Sequence, residues 1–116
     1  MLGLTVRWSL VGCPAGTLTE LASYVESTSY DRFGDLDGLR FKTWRARAGE
    51  WFEGTYVFET DAHRADFQAS FEAKSAEAPA SLVVGSPPIL SRHGTLWPWP
   101  RARPGSSQRR ATENRW

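Results

Sequence analysis

The chain has few of the residues that build covalent or metal-held scaffolds. Its 116 residues include one cysteine, Cys13, and two histidines, His63 and His93. A single cysteine cannot form an internal disulfide, so nothing favours an oxidising compartment. Neither histidine stands at metal-ligand spacing from a cysteine or a carboxylate, and Cys13 has no basic neighbour to activate its thiol. We therefore expect no metal site, surface positions for both histidines and an unreactive thiol.

Long apolar runs and phosphate-binding loops are also missing. No stretch approaches the ~20 apolar residues of a membrane-spanning helix. Residues 1–7 lack the basic and apolar parts of a secretory signal. Gly12 and Gly16 are not followed by the Gly-Lys-Ser/Thr ending of a phosphate loop. We expect a cytoplasmic protein without a cofactor and without a membrane partner.

Charge is distributed unevenly along the chain. Residues 1–94 carry nine Lys and Arg against twelve Asp and Glu, a net charge of −3, whereas residues 95–116 carry five Arg and one Glu, a net charge of +4. Arg109 and Arg110 are too few to favour nucleic-acid binding beside an acidic body. The tail has three prolines within residues 98–104 and no hydrophobic period. We expect one domain over residues 1–94 and a largely disordered, Pro- and Arg-rich tail over residues 95–116.

What the chain has is a regular succession of hydrophobic patterns. In order, these predict a strand over residues 4–11, a helix from residue 18 to between residues 27 and 30, strands over 39–47 and 51–59 joined by a turn at 48–50, a helix over 62–77 and a strand over 81–85. This β-α-β-β-α-β order is the ferredoxin-like α+β arrangement, an antiparallel sheet with both helices on one face.

Capping and breaking residues refine these bounds. Thr17 and Glu20 match a capping box at the start of the first helix. Asp61 is the expected cap of the second helix, and Pro79 is expected to end it. The prolines at 87–88 predict that the fourth strand is short, bent or at an edge, with pairing resumed at residues 89–90.

The sheet face opposite the helices is predicted to carry large side chains. A bare face of that kind is uncommon on a monomer. We therefore expect a homodimer that stacks sheet on sheet. Alternation along residues 39–47 separates two sets of side chains, Arg40, Lys42 and Trp44 on one face and Leu39, Phe41 and Thr43 on the other. The apolar set suits the helix-covered core, and the mixed set suits a cavity between the two sheets.

Several short motifs resemble a known family. Gly38-Leu39, Lys42-x-Trp44 and, after a short connection, Gly54-x-Tyr56-x-Phe58 resemble the signature of the YdhR-like monooxygenases, which belong to the dimeric α+β barrel superfamily. Trp8-Ser9-Leu10 leading into Gly12 and Pro14 agrees with the first strand of that group. The resemblance covers roughly residues 3–93. The hairpin connection is shorter here, and Ser86-Pro87-Pro88 is a departure near the expected pocket mouth.

The resemblance implies a small cofactor-independent monooxygenase that acts on an electron-rich aromatic or polyketide-type compound. A cyclase or isomerase of secondary metabolism from the same superfamily is the alternative enzyme. A non-catalytic small-molecule-binding protein with the same cavity is the alternative of another class, because a fold is a weak guide to chemistry.

Seven residues are the candidates for this chemistry. The expected catalytic residues are Lys42, Arg7 and Tyr56, and the expected substrate-binding residues are Trp44, Trp51, Arg40 and Trp8. Lys42 and Arg7 would stabilise a developing phenolate or enolate, while Tyr56 would carry a proton. The alternatives are a solvated lysine on a strand, an ion pair between Arg7 and Glu53, and ordinary packing of Trp51 and Tyr56.

Overall fold

The part of the chain that the structure describes, residues 1–29 and 36–97 of a computed structural model, forms one sheet and a helical layer. Most of the predicted tail lies outside these residues, as does residue 30 at the predicted end of the first helix. The elements are β1 (Leu2–Ser9), α1 (Gly16–Tyr24) with a π-helical extension (Val25–Ser29), β2 (Leu39–Arg47), β3 (Trp51–Phe58), α2 (Asp61–Ala73) with a following 3₁₀ turn (Ser75–Glu77), α3 (Pro79–Val84) and β4 (Leu90–Thr95).

The four strands form an antiparallel sheet in the order β2-β3-β1-β4. β1 is a central strand, and it pairs with β3 on one side and with β4 on the other. With the helices on a single face, this is the predicted ferredoxin-like α+β fold. β4 runs through Thr95, so the predicted domain boundary after Gly94 falls inside a strand.

The β2–β3 hairpin sets the alignment of the two strands. Its turn places Arg47 opposite Trp51 and is closed by a hydrogen bond from the Glu50 N–H to the Arg47 carbonyl (2.9 Å). Gly49 has a φ of 74°, a left-handed conformation that glycine adopts without strain. The predicted strands and turn are confirmed here. A bulge between Leu39 and Phe41 then shifts the alignment at the far end of β2.

The core lies between the sheet and the helices. Leu4, Val6 and Trp8 alternate along β1 and are buried, as the pattern of that strand predicted. Leu21 of α1 is fully buried against them, and Phe67 and Phe71 of α2 complete the layer. The i, i+4 spacing of these two phenylalanines turns both rings toward the sheet.

Both predicted helix caps are wrong. Thr17 lies inside the first turn of α1, which begins after Ala15 and has no side-chain cap, so the capping box with Glu20 does not form. At α2 the cap is Thr60, whose hydroxyl accepts a hydrogen bond from the His63 N–H (3.2 Å). Asp61 instead occupies the first helical turn, where its carboxylate pairs with Arg64.

The predicted fourth strand at residues 81–85 is also wrong, because this segment is the helix α3. Pro79 opens the helix, where a proline loses no hydrogen bond, and Gly85 ends it in a left-handed conformation with a φ of 87°. The short run of Leu82, Val83 and Val84 fits a strand or a buried helix equally, so periodicity could not separate the two. Pairing resumes at Ile89, whose N–H donates to the Arg7 carbonyl (2.7 Å), as predicted.

A buried hydrogen bond fastens α3 to the sheet. The indole N–H of Trp8 donates to the Ser81 hydroxyl (2.9 Å), which itself donates to the Ser75 carbonyl (2.6 Å). Trp8 and Ser81 are both almost completely inaccessible to solvent. The indole nitrogen would therefore have no water to replace this partner.

Replacing Ser81 with alanine should therefore destabilise the fold. We expect the free energy of unfolding to fall by about 1–3 kcal/mol, the penalty for leaving a buried donor unsatisfied. Urea denaturation followed by tryptophan fluorescence measures this. Ser86→Ala, at an exposed position, is the matched control and should change stability by less than about 0.5 kcal/mol. Equal stability of the two variants would contradict a structural role for the Trp8–Ser81 bond.

Candidate functional site

Lys42 and Trp44 lie on the helix-covered side of the sheet. The hairpin pairs Lys42 with Tyr56 and Trp44 with Gly54, and β1 pairs Leu4 with Tyr56. Directly paired residues share a face of a sheet. The prediction that the mixed set faces away from the helices is therefore wrong. Phe41, predicted to lie in the core, is on the open face and is 57% exposed.

The Lys42 ammonium is held against two aromatic rings. Its Nζ lies 3.8 Å from the centre of the Trp44 ring and 3.9 Å from the centre of the Tyr56 ring. The nitrogen is buried from solvent, so this is not the solvated lysine of the alternative interpretation. A cation over ring faces is attracted by their negative potential, and the attraction grows as water is excluded.

Trp44 is held in place by its neighbours in the sheet. Its ring stacks on Phe52 (4.9 Å between centres, 18° between planes) and meets Tyr24 of α1 edge-on at 6.3 Å. A Cβ on Gly54 would stand 2.8 Å from Cζ3 of Trp44, closer than side chains approach. The missing side chain at Gly54 is therefore what lets the Trp44 ring lie over β3.

Tyr56 and Trp8 connect this site to the rest of the aromatic core. Trp8 lies 6.4 Å from Trp44 and 5.8 Å from Phe52, and Tyr56 lies 4.8 Å from Phe67. Both Trp8 and Tyr56 are about 1% exposed. Trp8, predicted to bind substrate, acts here as a buried support behind Trp44.

A cavity of about 220 Å³ opens beside Trp44, between α1 and the end of the hairpin. Its lining residues are Leu18, Ala22, Val25, Glu26, Trp44, Arg45, Ala46 and Phe52. The walls are mainly apolar, and the charged Glu26 and Arg45 contribute the polar part. A small, flat, apolar ligand could therefore reach the Trp44 and Phe52 rings, which would leave it close to the Lys42 site.

Arg7 and Trp51 lie on the opposite, open face of the sheet. Arg7 Nη2 and Arg45 Nε both donate to Glu53 Oε1, at 2.9 and 3.0 Å, and the Glu53 side chain is only 1% exposed. Both guanidinium groups also lie over the Trp51 ring, at 4.4 and 5.5 Å from its centre. Arg7 therefore forms the ion pair with Glu53 that was the alternative expectation for this residue. Arg7 and Lys42 are separated by the sheet and cannot hold one small anion between them.

Arg40 is separated from the other candidates by the bulge in β2. It pairs with Glu59 through Nη1 and Oε1 (3.2 Å), and both side chains are more than half exposed. The expected grouping of Arg40 with Lys42 and Trp44 assumed strict alternation along the strand. The bulge at residues 39–41 breaks that alternation.

The structure also shows the surroundings of the two histidines and the cysteine. His63 is bonded through Nδ1 to the Thr60 hydroxyl (2.7 Å) at the start of α2, and His93 is exposed on β4. Cys13 is a half-buried free thiol. Within residues 1–29 and 36–97, no three His, Cys, Asp or Glu side chains converge on a possible metal position. In the same part of the chain, no helix has the length and apolar character to cross a membrane.

Comparison with known proteins supports the fold and leaves the activity open. No family model and no curated protein matches this chain. A crystal structure of NE2512, a protein of unknown function from Nitrosomonas europaea, is similar with a TM-score of 0.60 and 21% identity, over 88% of this chain and 94% of that one. Atu4242 from Agrobacterium tumefaciens has a TM-score of 0.47 and 12% identity, over 85% and 94% of the two chains.

Three residues outside the seven predicted site residues hold the site together. Phe52 supports Trp44, Gly54 leaves room for it, and Phe67 contacts Tyr56 from α2. A signal for Gly54 was present in the sequence. The hairpin turn fixes Arg47 opposite Trp51, and counting back from that pair brings Trp44 opposite Gly54.

A methyl group at Gly54 should disturb the site directly. We expect Gly54→Ala to lower the free energy of unfolding by about 1–3 kcal/mol, the usual cost of overpacking, and to change the near-ultraviolet circular dichroism as Trp44 moves off Phe52. Gly94→Ala is the matched control, because nothing lies within 4 Å of a Cβ at that position and its φ is ordinary. An unchanged aromatic spectrum in a stable Gly54→Ala protein would contradict the contact.

Proposed function

We propose that this chain is a small cofactor-independent monooxygenase that binds an electron-rich aromatic compound on the helix side of its sheet. The observation that carries the proposal is the buried Lys42 ammonium against the Trp44 and Tyr56 rings. A cation placed away from water stabilises an adjacent anion more strongly than a solvated cation does. The mainly apolar cavity beside Trp44 offers a place for an aromatic ligand.

The motif that resembles the YdhR-like family supports the same assignment. Its Lys42, Trp44, Gly54 and Tyr56 come from two strands, and the hairpin brings them together. Arg7 and Trp51 are left out of the proposed site, because they lie on the other face of the sheet. The proposed roles are therefore anion stabilisation for Lys42, proton transfer for Tyr56 and ring positioning for Trp44.

The reaction we propose uses the substrate as its own reductant. An acidic C–H beside a phenol-type ring, as in an anthrone, gives up a proton through the Tyr56 hydroxyl, and Lys42 stabilises the anion. The peroxide formed later takes up a proton by the same route. The anion passes one electron to dioxygen, and the substrate radical and superoxide combine to a peroxide, which takes up a proton. The hydroperoxide then loses water, with the second hydrogen of that carbon, and leaves a carbonyl. One anthrone and one dioxygen give one quinone and one water.

Replacing Lys42 with methionine tests this role. Methionine keeps the length of the side chain and removes the charge. Anthrone oxidation should fall ~10²-fold or more, the loss seen when a single oxyanion donor is removed. The free energy of unfolding should change by about 2 kcal/mol at most, the upper range for a desolvated cation–π contact. Oxygen uptake and product mass measure turnover.

Arg40→Met is the matched control, because it removes a cation from the same strand at an exposed position. It should retain wild-type turnover. Undiminished turnover in a folded Lys42→Met protein would refute the role of Lys42. Conversion without oxygen uptake would identify a cyclase or isomerase, and tight binding without turnover would identify a binding protein. Either result would overturn the monooxygenase proposal.

We also propose that the open face of the sheet is covered by a second copy of the chain. Phe41 and Leu96 expose apolar surface there, at 57% and 38% of their areas. Leu96 lies over Gly3, since a Cβ on Gly3 would stand 3.2 Å from its Cδ1. Burying this apolar surface would favour association.

The dimer should respond to salt. Arg7 and Arg45 share the single Glu53 carboxylate on the open face, so stacking two such faces brings surplus positive charges together. Salt screens that repulsion, so the average mass measured by light scattering should rise toward twice the 13.0 kDa chain mass as ionic strength increases.

Two substitutions test the location of the interface. Phe41→Asp should give monomers, whereas Val11→Asp, at an exposed position outside the sheet, should leave the dimer intact. A wild-type monomer at micromolar concentration would exclude this interface.

A further inference from the structure

A second cavity lies on the far side of the aromatic core, where α2 meets the turn before α3. It holds about 260 Å³ and is lined by Phe67, Ser70, Phe71, Lys74, Glu77, Ala78 and Pro79. Small-molecule pockets are commonly roughly 300–1,000 Å³, so this cavity suits one or two rings. It is made by different residues from the cavity beside Trp44.

Aromatic rings form the inner wall of this cavity. Phe67 and Phe71 stack on each other, with 6.0 Å between ring centres and 25° between planes. Their other contacts lead to the proposed site: the Phe67 ring lies 4.8 Å from Tyr56, and the Phe71 ring meets Trp8 edge-on at 6.2 Å. One phenyl ring therefore stands between the cavity and Tyr56.

The two lysines of the chain, Lys42 and Lys74, both border this aromatic cluster. Lys42 lies over Trp44 and Tyr56, whereas Lys74 lines the cavity behind Phe67 and Phe71. Glu77 lines it too, yet neither Lys74 nor Glu77 takes part in an ion pair with any residue in 1–29 or 36–97. A ligand with a flat ring could pack against the two phenylalanines and place an anionic group near Lys74.

We propose that this cavity is a second subsite that binds the carboxylate-bearing ring of an aromatic acid, with the carboxylate at Lys74. The inference rests on the proposed function, because it gives the substrate an acidic aromatic part beyond the ring that meets Lys42. Phe67 and Phe71 supply the stacking surface. Lys74 selects the anionic form, and Glu77 opposes it, so the two side chains act in opposite directions on affinity.

The test measures binding alone, by calorimetry on the full chain without turnover. The compounds are 2-naphthoate and its neutral analogue 2-naphthamide. We expect Lys74→Gln to weaken 2-naphthoate about threefold to fivefold, the range of a solvent-exposed ion pair, and to leave 2-naphthamide unchanged. Glu77→Gln should tighten 2-naphthoate by a similar factor. Lys42→Met should leave 2-naphthoate binding unchanged, whereas in a separate oxygen-uptake assay it lowers anthrone oxidation ~10²-fold or more.

Location is checked on the same samples by amide chemical shifts. Shifts at Ser70 and Lys74 on adding 2-naphthoate are expected. Equal effects of Lys74→Gln on the acid and the amide would overturn the proposal, as would shifts confined to β2 and α1 or an absence of binding at millimolar concentration. Because Lys42→Met separates turnover from binding, failure of this subsite is distinguishable from failure of the proposed monooxygenase activity.

Discussion

The alignment of the β2–β3 hairpin is the constraint on which the rest of the site depends. Once the turn sets Arg47 opposite Trp51, Trp44 must lie opposite Gly54 and Lys42 opposite Tyr56. A slip of one residue would send every one of these side chains to the other face of the sheet. The Trp44 ring then occupies the space that the missing side chain of Gly54 provides. Register and close packing therefore specify the same arrangement.

The fold was readable from the sequence, because its signals are local and repeated. Alternation of apolar and polar residues indicates which face of β1 is buried. Two aromatic-rich runs on either side of a glycine turn indicate the hairpin. The type of the segment at residues 79–84 was not readable, since six residues with three consecutive apolar side chains fit two kinds of structure. Pro79 and Gly85 indicate the segment type better than the apolar run does, because proline favours the start of a helix and glycine its end.

The site could be predicted only in part from the sequence. Which side chains belong to it depends on which face of each strand packs against the helices. Lys42, Trp44, Tyr56 and Trp8 do meet on one side, as an aromatic pocket around a cation requires. Arg7 does not join them, since strand alternation places it with Glu53. The bulge that removes Arg40 has no sequence signature of its own.

The bond between Trp8 and Ser81 also bears on how the chain acquires its structure. It joins residues 73 positions apart. Within the described residues, the strand partners of β1 are β3 and β4, and both follow it by more than 40 residues. During synthesis from the amino terminus, β1 is made before β3 and β4, and it stays unpaired until they have been made. Contacts of such long sequence separation slow folding, and an exposed strand edge in the interval invites association with other nascent chains.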